Sequence, residues 1–119
     1  MRLRLKVRNV FLLTKIHDDS LIEKTRQVAR WLLSDERKHV YTVYVEKILK
    51  DNKHFDAPGL LKENATTQDR LKYWDEELCA RHPQTFDIGV CLGGDGTVLY
   101  ASWLFQRITP PLLAFGLGW

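Results

Sequence analysis

Two cysteines, Cys79 and Cys91, are the whole thiol complement of this 119-residue chain. Disulfide-built secreted domains carry a denser set, so nothing here supports a disulfide framework. Cys91 lies in an apolar run, where a reduced, buried thiol is the expectation. Histidine is sparse as well. His17, His39, His54 and His82 are scattered without ligand spacing, and a metal site made by them is not expected. No apolar run reaches the roughly 20 residues that cross a bilayer. No internal repeat or low-complexity segment is present. Clustered positive charge is also missing. The net charge of +3 comes from 18 Lys and Arg against 15 Asp and Glu, dispersed except at the N-terminus. Nucleic-acid binding wants a basic patch, so that class is disfavoured, whereas a small polyanionic ligand suits the balance.

What is present fits one globular domain. The length supports one core, and 45% hydrophobic with 28% charged residues is ordinary for such a domain. Arg2, Arg4, Lys6 and Arg8 alternate with Leu3, Leu5 and Val7, the pattern of a strand with one wet face. The same Arg-rich, acid-poor start resembles a mitochondrial transit peptide, though it is short and lacks serine. Asn9–Thr14 reads as a buried strand. Asp18-Asp19-Ser20 reads as a helix start with Ser20 and Glu23 as a capping box, and Leu21, Val28, Ala29 and Leu32 carry that helix to about Ser34. Val40–Val45 is β-branched and aromatic, a second strand, followed by a short helical turn to about Lys50. The polar stretch 51–67 reads as a loop with one turn of helix. Leu71, Trp74 and Leu78 form the stripe of a helix over 68–81, ended by His82-Pro83. Phe86–Leu92 reads as strand three, the following helix runs to about Gln106, and Leu112–Phe115 reads as strand four. Strands alternating with helices imply parallel pairing through right-handed crossovers. The expectation is an α/β fold: a Rossmann-like parallel sheet of about four strands with flanking helices.

The sharpest signal is Gly93-Gly94-Asp95-Gly96-Thr97, set between the apolar runs 87–92 and 98–105. Paired glycines between a strand and a helix let backbone N–H groups approach a phosphate, and the helix start adds partial positive charge. Asp95 is harder to account for structurally. A carboxylate beside phosphates is repelled unless it meets a metal, a sugar hydroxyl or a proton in transfer. The alternative for Asp95 is a helix N-cap. The combination points to nucleotide phosphoryl chemistry.

The flanks narrow this. Leu92 through Ser102, with Leu104-Phe105-Gln106 and Pro110 through Phe115, resembles the eukaryotic NAD kinases. Asp18, Leu21-Ile22, Thr25-Arg26, Val43 through Glu46 and Tyr73 through Glu77 resemble the fungal branch. The resemblance runs from about Val10 to Leu117. It implies transfer of the ATP γ-phosphoryl group to the 2′-hydroxyl of the adenosine ribose of NAD, giving NADP, with Mg²⁺ or another divalent metal. It implies that Asp95 is the base or the ribose-hydroxyl contact, that Gly93, Gly94, Gly96 and Thr97 line the phosphate side, and that the full-length enzyme is a homo-oligomer. After strand four the family continues Leu-Gly-Ser, whereas Leu117-Gly118 is followed here by Trp119. The family's second Asn-Glu or Asn-Asp motif and its β-rich C-terminal domain do not occur in these 119 residues. The expectation is therefore an N-terminal nucleotide-binding domain over residues 1–119, truncated and weakly active or inactive by itself.

Rival readings share the glycine motif. A lipid kinase of the diacylglycerol type has it, but its flank after Thr97 usually differs. A non-catalytic nucleotide-binding or regulatory subunit is the other. Blander readings attach to other residues: Trp103, Leu104 and Phe105 as core, Asp18-Asp19 as a cap, Asp75-Glu76-Glu77 as a solvated helix face, and Lys15 as a surface lysine. The expected location is the cytoplasm, with the mitochondrion as the alternative; no membrane or nucleic-acid partner is expected.

Overall fold

The computed structural model describes residues 7–14, 18–34, 40–106 and 108–115, except for the side chain of Asp95. Lys15, the alternating segment 1–6 and Leu117 through Trp119 lie outside the described residues. Five strands form one sheet in the order β3-β2-β1-β4-β5, and every pair is parallel. They are β1 (Asn9–Thr14), β2 (Thr42–Glu46), β3 (Leu71–Trp74), β4 (Ile88–Leu92) and β5 (Leu112–Phe115). The helices are α1 (Asp19–Leu33), α2 (Ala57–Glu63), α3 (Thr67–Arg70), α4 (Glu76–Arg81) and α5 (Asp95–Phe105). The α/β class and parallel pairing follow the sequence expectation, with five strands instead of about four.

The two central strands have no polar alternation because both their faces are covered. On one face Val10, Leu12, Val43, Val45, Val90 and Leu92 pack against Ile22, Ala29 and Leu33 of α1 and Leu60 of α2. On the other, Phe11, Leu13 and Cys91 pack against Cys79 of α4 and Ala101, Leu104 and Phe105 of α5. Asp87 fixes the register at the start: its Oδ2 accepts from the Arg8 and Asn9 N–H groups at 2.9 and 2.8 Å. Asn9 Nδ2 in turn donates to Thr85 O.

Several local expectations are corrected. Asp18 caps α1, as the Asp18-Asp19 reading expected, its Oδ1 accepting from the Ser20 N–H at 3.0 Å; Ser20 lies within the first turn, so it is not the cap of a Ser20–Glu23 box. Val40 is exposed and precedes β2. The 51–67 stretch contains the seven-residue α2, with Pro58 in its first turn, where a missing N–H costs nothing, and Asp56 as its cap. The helix expected over 68–81 is three elements. Leu71 and Trp74 fit a helical stripe, but they pair as β3 with β2 in the register Val43↔Leu71 to Glu46↔Trp74. Tertiary pairing overrode the local period. Asp75, Glu76 and Glu77 are exposed as expected, and Asp75 in addition caps α4 by accepting from the Leu78 N–H at 2.9 Å. The Trp74 indole N–H reaches Leu12 O on β1 at 2.8 Å, which buries the ring across the sheet.

Arg70 closes the end of α1. It is buried, and its guanidinium donates to Tyr41 O at 3.0 Å, Leu33 O at 3.1 Å, Leu32 O at 3.3 Å and Thr66 Oγ1 at 3.0 Å. Final-turn carbonyls have no partner inside their own helix, so this side chain satisfies them while joining α1, α3 and the residue before β2. Arg70→Met should lower the stability by about 2–4 kcal/mol, since several buried acceptors lose donors at once. Arg70→Lys should restore only part, because a point charge lacks the planar fork. Urea unfolding midpoints at constant slope measure both.

Candidate nucleotide site

The sheet order reverses between β1 and β4. From β1 the chain builds outward through β2 and β3; from β4 it builds the opposite way to β5. Ligands of open α/β sheets bind outside the carboxyl ends of the strands at such a switch point. Gly93 follows β4 directly there. All five residues singled out in the sequence therefore lie at this point, in the turn from β4 into α5.

Each plays a different structural part. Gly93 has φ of 143°, a region that side chains with a Cβ rarely adopt. Its N–H donates to Phe115 O at 3.0 Å, which ties the turn to the end of β5. Gly94 is the cap residue of α5, in extended conformation, and makes no side-chain capping bond. This differs from α1, α2 and α4, whose caps are the carboxylates of Asp18, Asp56 and Asp75. The first-turn N–H groups of α5 are thus not taken up by a capping side chain, the arrangement an anion requires. Asp95 is the first residue of α5, so the N-cap alternative for it does not hold. A Cβ on Gly96 would meet no atom within 4 Å. Packing of this chain therefore does not demand glycine at 96. Thr97 is buried, and its N–H donates to Gly94 O at 3.0 Å, closing the first turn.

A second polar feature supports the turn from β1. Thr14, the register partner of Leu92, is buried and its hydroxyl hydrogen-bonds that of Thr25 on α1. The Thr25 hydroxyl donates in addition to Leu21 O at 2.8 Å. This links the carboxyl end of β1 to the start of α1 beside the glycine turn. In the sequence Thr25 stands out only as part of the family resemblance and as a threonine on the apolar face of an amphipathic helix. Leu104 and Phe105 are core, as expected. Trp103 is not: it is 55% exposed, beside Tyr100 at a ring-centroid distance of 5.9 Å. Both cysteines are buried, and burial pushes the thiols up, to about 12 for Cys79 and about 11 for Cys91, so neither is a nucleophile near neutrality. His54 sits between Asp19 and Glu23, at 3.4 and 3.6 Å. Among the described residues no three His, Cys, Asp or Glu side chains group so as to hold a metal ion, and no helix is long and apolar enough to cross a membrane.

The profile of the ATP-NAD kinase N-terminal domain matches residues 10–119. The NAD(+) kinase of Saccharomyces cerevisiae is 40% identical over 117 residues, which is 98% of this chain and 22% of that protein. The ATP-NADH kinase YEF1 of the same yeast is 39% identical over 114 residues, 96% of this chain and 23% of that protein. The chain thus spans under a quarter of the length of these relatives. The crystal structure of yeast NADH kinase complexed with NADH superposes with a TM-score of 0.58 at 25% identity, covering 95% of this chain and 32% of that one.

Two substitutions separate what the turn needs for folding from what it needs for a ligand. Gly93→Ala should cost roughly 1–3 kcal/mol through backbone strain. Gly96→Ala should leave stability unchanged or raise it by up to about 1 kcal/mol, given alanine's helix propensity and the open space around its Cβ. Chemical denaturation of both variants beside the parent measures the contrast.

Proposed function

This chain belongs to the ATP-NAD kinase family, and from that premise we propose that the protein carrying it phosphorylates the 2′-hydroxyl of the adenosine ribose of NAD. In this reading residues 1–119 are its N-terminal nucleotide-binding domain, in the cytoplasm, and the complete enzyme is a homo-oligomer. The observation that carries the reading is the glycine turn: uncapped, at the switch point, with a glycine at 96 that packing does not require.

The chemistry follows from the parts. ATP phosphates sit against the N–H groups of Gly94 through Gly96, where the start of α5 favours negative charge. A Cβ at 96 would stand where a phosphate approaches the backbone. The ribose hydroxyl is a weak nucleophile, and Asp95 accepts its proton as the new O–P bond forms. The bond between the γ-phosphorus and the β–γ bridging oxygen breaks, and ADP leaves. Because this transfer is mostly positioning and charge neutralisation, one carboxylate and a rigid phosphate cradle are appropriate equipment. A divalent metal, if bound, would be held chiefly by the nucleotide phosphates and water, since no group of His, Cys, Asp or Glu among the described residues would cage it. Its chemistry is to offset the charge shared by the phosphates and Asp95. The lipid-kinase alternative loses its support to the family match.

The test is NADP formation from NAD and ATP by the complete enzyme with Mg²⁺. Asp95→Asn should lower kcat by at least about 10²-fold without moving the unfolding midpoint. Gly96→Ala should raise the KM for ATP while the fold persists. Diacylglycerol should not be phosphorylated. The 119-residue chain alone should form little or no NADP, because an open site loses the advantage of an enclosed one. Full activity in Asp95→Asn would overturn the assignment of the base.

A further inference from the structure

Glu46 ends β2 at the same edge of the sheet as the glycine turn. Its strand alternates: Val43 and Val45 belong to the α1 face, whereas Tyr44 belongs to the α4–α5 face. Glu46 therefore projects toward α4 and α5. Its Oε2 is shut off from solvent and has no hydrogen-bond partner. An ionised carboxylate oxygen without water or donor is costly, whereas the neutral acid is far less so. The surroundings act the same way. The charge of Glu76 on α4 bears on it directly, while Cys79 on α4 and Tyr100 on α5 are themselves raised by burial and by Glu46. On this face β1 and β3 contribute Leu13 and Trp74, both uncharged. Lys47 follows Glu46 in the chain, at the head of a 3-10 turn over Lys47–Asp51. Of the two carboxyls, Glu76 is exposed in the first turn of α4, whereas Glu46 Oε2 is closed off, so the cost of a buried charge falls on Glu46. The proton therefore goes to Glu46.

We propose that Glu46 is a proton-controlled catch: protonated, it seats α4 and α5 against the carboxyl end of β2, and its ionisation loosens that seat. The inference is independent of the kinase reading. Burial first, and then the charge of Glu76, raises its pKa from the usual 4.5 to about 7. The sign follows from linkage. The folded state holds the proton more tightly than the unfolded chain, so the contribution is full below about pH 4.5 and is lost as pH rises through about 7. Ionisation brings like charges together at Glu46 and Glu76. α4 packs on α5, so the strain falls on the helix that leaves the glycine turn. Tyr100, held up by burial and by the charges of Glu46, Glu76 and Cys79, reports the same pocket.

The experiment is thermal unfolding of this chain between pH 5 and 8.5, beside Glu46→Gln, which keeps the shape of the neutral acid. The parent midpoint should fall by about 5 °C more than that of Glu46→Gln over this range. Parallel profiles would overturn the proposal. Carbon-13 NMR titration of the Glu46 carboxyl in the parent decides the matter even where the variant does not fold. An apparent pKa near 7, moving down in Glu76→Gln, is expected. Titration near 4.5 would overturn the catch.

Discussion

The parallel pairing of β1 with β4 is the contact on which the rest of the arrangement depends. Five register pairs, Val10↔Ile88 through Thr14↔Leu92, join segments nearly 80 residues apart in sequence, and Asp87 bonds to the Arg8 and Asn9 N–H groups at their start. Loop-closure entropy opposes so distant a contact, so both strands must gain much burial from it. They do: Phe11, Leu13 and Cys91 enter one core, and Val10, Leu12, Val90 and Leu92 the other. Because the outward winding reverses between these strands, the same pairing puts the switch point beside Gly93.

The two faces of the sheet serve different ends. The α1 face is largely aliphatic, and its polar elements are few and fully used: Arg70 on the end of α1, and the Thr14–Thr25 pair beside the turn. The α4–α5 face is aromatic, with Phe11 within 5.1 Å, centroid to centroid, of Trp74, Phe86 and Phe105. Rigid rings on the strand that neighbours β4 hold α5, and with it the start of the helix that follows the glycine turn. Into this apolar face Glu46 introduces a carboxyl, which explains why its protonation matters there and would not on an open surface.

The strand–glycine–helix turn was legible because it is local. Gly93 through Thr97 are contiguous, and a positive φ followed by an uncapped helix start is a property of adjacent residues. β1 and β5 were legible at their observed bounds, since short apolar runs flanked by polar or proline residues leave little choice. The segment 68–81 was not. Leu71, Trp74 and Leu78 satisfy a helical period, and only the vacant edge of β2 and the Trp74 bond to Leu12 O make a strand of Leu71–Trp74. Trp103 likewise reads as core until α5 is seated and turns it outward.

The sequence by itself determined the parallel α/β class, the strand–glycine–helix turn and the family in whose pattern that turn stands. Period, turn chemistry and the φ freedom of glycine operate over a few residues and need no partner. Only the tertiary structure decided that the turn occupies a switch point, that Gly96 is free of steric demand, that Arg70 closes α1, and that Glu46 ends in a buried, unpartnered oxygen. Each of these depends on which distant segment lies beside the residue. Burial and unmet hydrogen bonds are properties of that neighbour as much as of the residue itself.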